Sequence, residues 1–146
     1  MIYLGADHAG FELKEKIKKF LNKKKINYED LTPKFKEGDD YPEIAFKIGE
    51  KVSRDRGNGI LFCGSGNGMA IAANKVKGIR AVEAYDRISA KLSREDNDSN
   101  ILVLGSWFIK EGKAEEIVLK WLNIRFSGLE RHKRRIKKIE DYENGK

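Results

Sequence analysis

The single cysteine of the chain, Cys63, ends an apolar run and is followed at once by the turn Gly-Ser-Gly-Asn-Gly at residues 64–68. Glycines at this density let the backbone turn sharply and approach a ligand closely. Successive N–H groups that lead into a helix form an anion site, and their field is expected to lower the pKa of a thiol. The stretch therefore predicts a thiolate beside an anion site, against the alternative of a buried structural cysteine next to an ordinary turn.

Three other chemistries of such a loop are excluded by neighbouring residues. A nucleotide P-loop needs Gly-Lys-Ser/Thr, but Gly68 is followed by Met69. A dinucleotide fingerprint belongs on the first strand, where this chain has Asp-His-Ala-Gly at residues 7–10. A cysteine phosphatase loop resembling the low-molecular-weight tyrosine phosphatases needs an arginine six positions after the cysteine, which is Met69 here.

The charge pattern suggests an anionic partner. The net charge is +7, which suits nucleic acid, anionic lipid or a phosphorylated small molecule. The lysines of residues 14–25 alternate with apolar residues, as on the solvated face of an amphipathic helix. The basic run at residues 131–135 is denser and is the more interesting candidate for a binding site.

The elements that must position these residues alternate along the chain. Strands are predicted at residues 2–6, 26–31, 59–63, 79–84 and 100–104. Helices are predicted around 13–21, from Tyr41-Pro42 to Val52, and at 69–75, 88–94, around 114–122 and 131–142. This alternation indicates right-handed βαβ units and a parallel sheet covered on both faces, within one domain spanning residues 1–146.

In such a sheet, ligands bind beyond the carboxyl ends of the strands. That rule places Asp7 and His8, the turn after Cys63 and the loop after Leu104 at one rim. The chemistry of the protein is expected there.

Composition narrows the class of protein further. Apolar residues make up 40% of the chain, enough for a core. No apolar run approaches the roughly 18 residues that a membrane span needs, and no basic leader precedes the first strand. A single cysteine excludes an internal disulfide and a multi-cysteine zinc site. We therefore expect a cytosolic enzyme that does not act in a membrane.

Several motifs together resemble one family. They are Gly-Ala-Asp-His-Ala-Gly at 5–10, Asp-Tyr-Pro at 40–42, Cys-Gly-Ser-Gly-Asn-Gly at 63–68, Ile-Ala-Ala-Asn-Lys at 71–75, Gly-Ile-Arg-Ala at 78–81 and Asn-Asp at 97–98. In this order, over nearly the whole chain, they resemble the family of type B ribose-5-phosphate isomerases and galactose-6-phosphate isomerases. The resemblance implies a Rossmann-like three-layer α/β/α sandwich with five parallel strands. It also implies no metal or organic cofactor, and a homodimer with active sites at the interface; dimer and tetramer both stay open.

The resemblance assigns the chemistry to the glycine-rich turn. Cys63 corresponds to the base that takes the C2 proton of the sugar as a thiolate, and Ser65 to a residue that relays a proton at the substrate oxygens. Backbone N–H groups would stabilise the enediolate; they belong to Gly64, Gly66, Asn67 and Gly68. Some relatives place a glutamate base where this chain has Met69, which strengthens the assignment to Cys63. A serine in such a turn is more often only a turn former.

The remaining assignments concern the substrate. Asp7 corresponds to a ligand of the sugar hydroxyls, although it also suits capping of the first helix. Phosphate would be bound by His8, Arg131, His132 and Arg135, the last three on a C-terminal helix that reaches the partner subunit. Arg131 and Arg135 are four residues apart and so share one helix face. Tyr41 and Asn97 line the sugar site, with a core position as an equal alternative for Tyr41.

Two positions depart from the family pattern. Relatives commonly have a histidine linked to ring opening where this chain has Asp96, so Asp96 takes over that step, or the enzyme favours the open-chain sugar or a different sugar. Many relatives have an arginine where this chain has Trp107. An indole there stacks on a sugar or packs at the subunit contact, and packing is the commoner role.

The expected function is therefore the interconversion of ribose 5-phosphate and ribulose 5-phosphate, with no nucleic acid partner. Close alternatives are the same chemistry on allose 6-phosphate or galactose 6-phosphate, and a non-catalytic paralogue that binds sugar phosphates. A nucleic-acid-binding module is disfavoured because the basic residues are not interleaved with exposed aromatic residues.

Overall fold

The computed structural model describes all residues from 1 to 146. Five strands are formed: β1 Ile2–Ala6, β2 Glu29–Asp30, β3 Asn58–Cys63, β4 Ala81–Glu83 and β5 Ile101–Gly105. Six helices connect and follow them: α1 Phe11–Lys23, α2 Tyr41–Asp55, α3 Asn67–Ala73, α4 Arg87–Asn97, α5 Glu111–Asn123 and α6 Glu130–Glu143. None of these helices combines the length and apolar character needed to cross a membrane.

The strands form one parallel sheet in the order β2-β1-β3-β5-β4. In the register, Ala6 lies beside Phe62, and Cys63 lies beside Gly105. β3 is thus the central strand, and its carboxyl end places Cys63 in the middle of the sheet edge. The predicted parallel sheet is confirmed.

Helices cover both faces of the sheet because alternate side chains of the central strand point to opposite sides. Ile60 and Phe62 belong to a core formed with α1, α4 and α5. Leu61 and Cys63 belong to a second core formed with α2 and α3. The first core also contains Trp121, which is buried and donates its indole N–H to Ser99 Oγ at 2.8 Å. The three-layer α/β/α sandwich is therefore confirmed.

Several boundaries differ from the sequence-based expectation, and β4 has only residues 81–83 of the predicted strand at 79–84. β2 has only two residues of the predicted strand at 26–31. Helix α3 begins at Asn67, two residues before the predicted start. The early start follows from Gly66, which precedes the helix with φ +89° and turns the chain directly from the strand into the helix.

Lys14 corrects the expectation of a fully solvated lysine face on α1. Its side chain is 0% exposed. The ammonium donates to Asp30 of β2 at 2.5 Å and to Glu15 at 2.8 Å. Because a carboxylate on β2 lies under the helix, the lysine is buried as an ion pair, and the register of α1 on the sheet is tied to this pair.

Helix α6 follows the sandwich and packs on it through His132 and Ile136, the two buried residues of the helix. Near its C-terminal end, Glu143 accepts the backbone N–H of Gly78 at 2.9 Å. Glu140 lies 3.7 Å from the guanidinium of Arg80. Gly78 and Arg80 precede β4, so these contacts hold α6 close to the amino ends of the strands.

Candidate active site

Three loops meet at the carboxyl edge of the sheet, as the sequence predicted. Ser106, after β5, donates its backbone N–H to the Cys63 carbonyl at 2.8 Å and its hydroxyl to the Ala9 carbonyl at 2.7 Å. Trp107 donates its backbone N–H to the Gly64 carbonyl at 3.0 Å. These hydrogen bonds join the loops after β1, β3 and β5 into one rim.

The glycine-rich turn folds down onto the sheet beside Cys63. A Cβ atom at Gly105 would lie 2.5 Å from the Ser65 carbonyl oxygen, so only glycine allows this approach. The N–H of Gly66 points at Cys63 Sγ, with an N···S distance of 3.1 Å. The N–H of Asn67 contacts Ser65 Oγ at 3.3 Å. Two of the four N–H groups assigned to the enediolate are thus engaged within the turn, and Ser65 does act as a turn former.

Cys63 is 4% exposed and belongs to the core beneath α2 and α3. Burial raises the pKa of its thiol, and the charges of Asp7 and Glu83 add to this effect. The backbone N–H groups of Met69 and Gly66 lower the pKa, but burial outweighs them. The expectation of a depressed thiol pKa is therefore wrong. The sequence predicts the N–H groups of the turn, but it does not show how deeply the sulfur is buried.

Asp7 lies directly after β1 and is 6% exposed. Its Oδ1 accepts the N–H of Gly10 at 3.0 Å, in the turn before α1. Burial raises the pKa of this carboxyl group, and the hydrogen bond from Gly10 opposes that shift. The capping role weighed for Asp7 is thus present in the structure.

His8 is next along the same loop, with a half-exposed ring. Its Nδ1 lies 3.0 Å from Asp39 Oδ1, and the same oxygen accepts the backbone N–H of His8 at 2.8 Å. The hydrogen bond with Asp39 raises the pKa of His8 and so favours the imidazolium. A cation at this rim suits an anionic substrate group.

Two aromatic rings lie on the glycine-rich turn. A Cβ atom at Gly68 would be 2.4 Å from the Tyr41 ring, and one at Gly64 would be 2.5 Å from the Trp107 indole. Tyr41 is 40% exposed and Trp107 is 72% exposed. Tyr41 therefore borders the turn and is not a core residue, and Trp107 covers the turn from the side of β5.

The remaining residues assigned to the site lie away from the carboxyl rim. Asp96 and Asn97 end α4, and a helix that returns from the carboxyl edge must end near the amino edge of the sheet. The carbonyl of Asn97 accepts from Arg80, just before β4. His132 lies with them, because its Nε2 is 3.6 Å from Asp96 Oδ1. One chain therefore does not bring these residues together with Cys63.

The arginines assigned to the phosphate are also on α6. Arg131 and Arg135 are both exposed, one helical turn apart, whereas His132 between them is buried and lies 2.6 Å from Ser127 Oγ through Nδ1. Lys133 and Arg134 are exposed as well. The arginine pair thus faces solvent and is available to a site outside its own sandwich.

Sequence reasoning missed three residues at the carboxyl rim: Asp39, Ser106 and Glu83. Asp39 and Ser106 are polar loop residues with no distinguishing pattern. Glu83 carried a usable signal, since it is a charged residue within a predicted apolar strand. Its Oε1 is buried and has no hydrogen-bond partner. A lone acid in such a strand calls for an explanation.

The fold and rim define an α/β enzyme with its polar site at the carboxyl ends of parallel strands. Residues 2–139 match the family model described as Ribose/Galactose Isomerase. The chain belongs to this family and is an isomerase.

Individual relatives are similar to this chain over almost its full length. Ribose-5-phosphate isomerase B of Escherichia coli K12 is 40% identical over 139 residues, covering 94% of this chain and 93% of that protein. The structure of ribose-5-phosphate isomerase B from Clostridium thermocellum has a TM-score of 0.94 and 41% identity, covering 99% and 97% of the two chains. The Mycoplasma genitalium enzyme, solved with bound ribulose-5-phosphate, has a TM-score of 0.93 and 40% identity, with the same coverage.

Proposed function

We propose that this protein interconverts ribose 5-phosphate and ribulose 5-phosphate, with Cys63 as the base. The proposal is carried by the position of Cys63 at the carboxyl end of the central strand, with the Gly66 N–H on Sγ, in a chain that resembles ribose-5-phosphate isomerases. A relative of the same fold binds ribulose 5-phosphate, which supports the choice of substrate.

The reaction requires one proton to move between two neighbouring carbons. As a thiolate, Cys63 takes the proton from C2: the C2–H bond breaks, an S–H bond forms, and the electron pair passes into a cis-enediolate. The S–H bond then returns the proton to C1. A raised thiol pKa reduces the thiolate population but makes each thiolate a stronger base towards a weak carbon acid.

The rim supplies the groups that this step needs around the sulfur. Ser65 relays a proton at the substrate oxygens, and the two assigned N–H groups that are not engaged with Cys63 or Ser65, those of Gly64 and Gly68, stabilise the enediolate. Asp7 accepts hydrogen bonds from sugar hydroxyls, and Tyr41 borders the sugar. His8, held by Asp39, contributes positive charge to the phosphate.

We infer that a second copy of the chain completes the site. The basic residues of α6 lie near the amino edge of the sheet, whereas Cys63 lies at the carboxyl edge; these basic residues are Arg131, His132 and Arg135. A sugar phosphate that contacts Cys63 and these residues must therefore lie between two chains. Exposed apolar side chains after β4 and β5 offer a surface for this contact, since Ile88, Trp107 and Phe108 are 69%, 72% and 64% exposed. The arrangement is a homodimer in which α6 of each chain reaches its partner.

Asp96 and Asn97 come to the site with α6 of the second copy. Asn97 borders the sugar. The 3.6 Å pair between Asp96 and His132 places a carboxylate beside an imidazole. This pair is the candidate for opening the sugar ring, in place of the single histidine of relatives.

The decisive experiment replaces the sulfur. Cys63→Ser and Cys63→Ala should each lower kcat on ribose 5-phosphate by about a thousandfold, the range lost with a general base. Binding of inorganic phosphate should change little, because neither variant alters charge at the phosphate groups. Turnover within a few-fold of the parent protein in either variant would contradict the proposed base.

Substrate choice is tested with a coupled assay on sugar phosphates of different length. The family description includes galactose, so allose 6-phosphate and galactose 6-phosphate belong in the panel with ribose 5-phosphate. We expect the highest kcat/KM with ribose 5-phosphate. Binding of all three without turnover would instead indicate a non-catalytic paralogue, for which Asp96 and Trp107 are the departures to examine.

A further inference from the structure

Glu83 occupies an unusual place for a charged residue. It ends β4, pairs with Val103 of β5, and shares a sheet face with Ala81 two residues earlier. Val103 and Ala81 belong to the core that contains Cys63. The Glu83 side chain is therefore directed towards the same layer as the sulfur, and its Oε1 is buried without a hydrogen-bond partner. Such an oxygen is costly to keep and invites a functional explanation.

The carboxyl group of Glu83 lies directly against the glycine-rich turn. A Cβ atom at Gly66 would be 2.2 Å from Glu83 Oε1 and 2.5 Å from its Cδ. Gly66 is the residue whose N–H contacts Cys63 Sγ at 3.1 Å, and it does so with φ +89°. Gly66 thus lies in contact with both the sulfur and the Glu83 carboxyl group, of which Oε1 is buried.

We propose that Glu83 is a positioning residue for Cys63: its carboxyl group lies against Gly66, supports the conformation that directs the Gly66 N–H at Sγ, and places a negative charge close to the sulfur. The inference rests on the proposed role of Cys63 as the base. A negative charge near the sulfur favours the protonated thiol and suits that role, because the proton taken from C2 then stays on sulfur until it is returned to C1.

The electrostatic surroundings of the sulfur agree with this role. Burial is the largest cause of the raised Cys63 pKa, and Asp7 and Glu83 are the charged groups that raise it further. The backbone N–H groups of Met69 and Gly66 oppose them. From the other neighbouring elements the turn is faced by the Tyr41 phenol and the uncharged Trp107 indole.

Glu83 itself is affected by its position. Burial raises its pKa, and the nearby Tyr85 phenol opposes that shift in part. The carboxyl group therefore loses its proton at a higher pH than an exposed glutamate, and only above that pH does its charge act on Cys63.

The test uses Glu83→Gln, which removes the charge and keeps the shape. Cys63 is the only cysteine, so the rate of alkylation by iodoacetamide reports its thiolate alone. Between pH 6.5 and 10 the midpoint of the rate profile should fall by about one unit, giving about tenfold faster alkylation at pH 8. The pH at which kcat/KM declines on the acid side should also fall by about one unit, and KM should stay unchanged. A midpoint equal to or above that of the parent protein would overturn the proposal.

Two further variants separate charge from packing. Glu50→Gln removes an exposed charge on α2 and should leave the midpoint unchanged. Glu83→Asp keeps the charge but withdraws it from Gly66, so its midpoint should stay within about 0.3 unit of the parent value while its unfolding temperature falls. A shift as large as that of Glu83→Gln would show that packing alone governs the sulfur, and would overturn the role of the charge. If Cys63→Ser stays active, the proposed base is wrong, but the alkylation result for Glu83 stands.

Discussion

Two opposing influences act on the sulfur of Cys63. The turn directs N–H groups at it, whereas burial and two nearby carboxyl groups favour the protonated thiol. In this chain burial prevails. At the scale of one residue, the type and neighbours of a side chain indicate which chemistry is available, but depth decides in which direction its pKa moves.

His8 gives a prediction with a defined sign. Its pKa is raised by Asp39, so its positive charge is present below that raised pKa and disappears as the pH increases through it. Asp39→Asn should lower the pKa, and KM for the sugar phosphate should begin to rise about one pH unit earlier. NMR titration of the imidazole and KM measured from pH 6 to 9 would check this expectation.

The neighbouring aspartate provides the control. Asp40→Asn removes the same charge at an exposed position and should shift neither the titration nor KM. A titration that moves in Asp39→Asn while the KM profile stays fixed would show that His8 does not bind the phosphate.

At the scale of elements, the periodicity of apolar residues predicted the order and type of the strands and helices. It did not predict which side chains from different elements contact each other. The apolar run ending at Cys63 and the spacing of Ile44, Ile48 and Val52 correctly gave a buried strand and a helix. Lys14 has the local pattern of a solvated lysine. It is buried only because β2 brings Asp30 beneath it, and no local pattern contains that information.

The Lys14–Asp30 pair gives a prediction on stability. Asp30→Asn leaves the fully buried ammonium with only Glu15 and should lower the free energy of unfolding by about 3 kcal/mol, or about 6–12 °C in melting temperature at fixed protein concentration. Asp141→Asn, which breaks the exposed pair with Lys137, should leave the free energy of unfolding nearly unchanged.

The difference in stability between the parent protein and Asp30→Asn should also depend on pH. Burial opposes ionisation of Asp30, but hydrogen bonds from Lys14 and Lys18 outweigh it and hold its pKa below the usual range. Its contribution is complete above the carboxyl pKa of the unfolded chain, about 4, and is lost as the pH falls through the lower folded value. Thermal unfolding from pH 3 to 8 should therefore show the gap between parent and Asp30→Asn narrowing only at the acid end. A gap of similar size for Asp141→Asn would argue against the buried pair as its cause.

At the scale of the whole molecule, the assigned groups separate into two sets. One surrounds Cys63, and the other lies on α4 and α6 near the amino edge. The sequence contained this information, because α4 must run back across the sheet, so that Asp96 and Asn97 end far from the turn. The family motifs group these residues by role and do not show where in the fold each one lies.

A shared site is tested by complementation. Cys63→Ser and the double variant Arg131→Ala/Arg135→Ala should each be nearly inactive. If each site combines Cys63 of one chain with the arginines of another, one of the two sites in a mixed dimer is intact, and co-expression in equal amounts should recover about a quarter of the parent activity. Recovery should accompany a particle of twice the 16.7 kDa chain mass. No recovery in a demonstrated mixed dimer would place the site within one chain.

The two tryptophans lie in opposite surroundings. Trp121 is sealed in the core with its N–H on Ser99, whereas the indole of Trp107 is exposed and rests on the glycine-rich turn. Fluorescence of the chain therefore combines a short-wavelength component that reports unfolding with a solvent-relaxed component that reports events at the rim. A ligand settling on the turn would alter the second and leave the first untouched, so the protein carries its own optical reporter of occupancy.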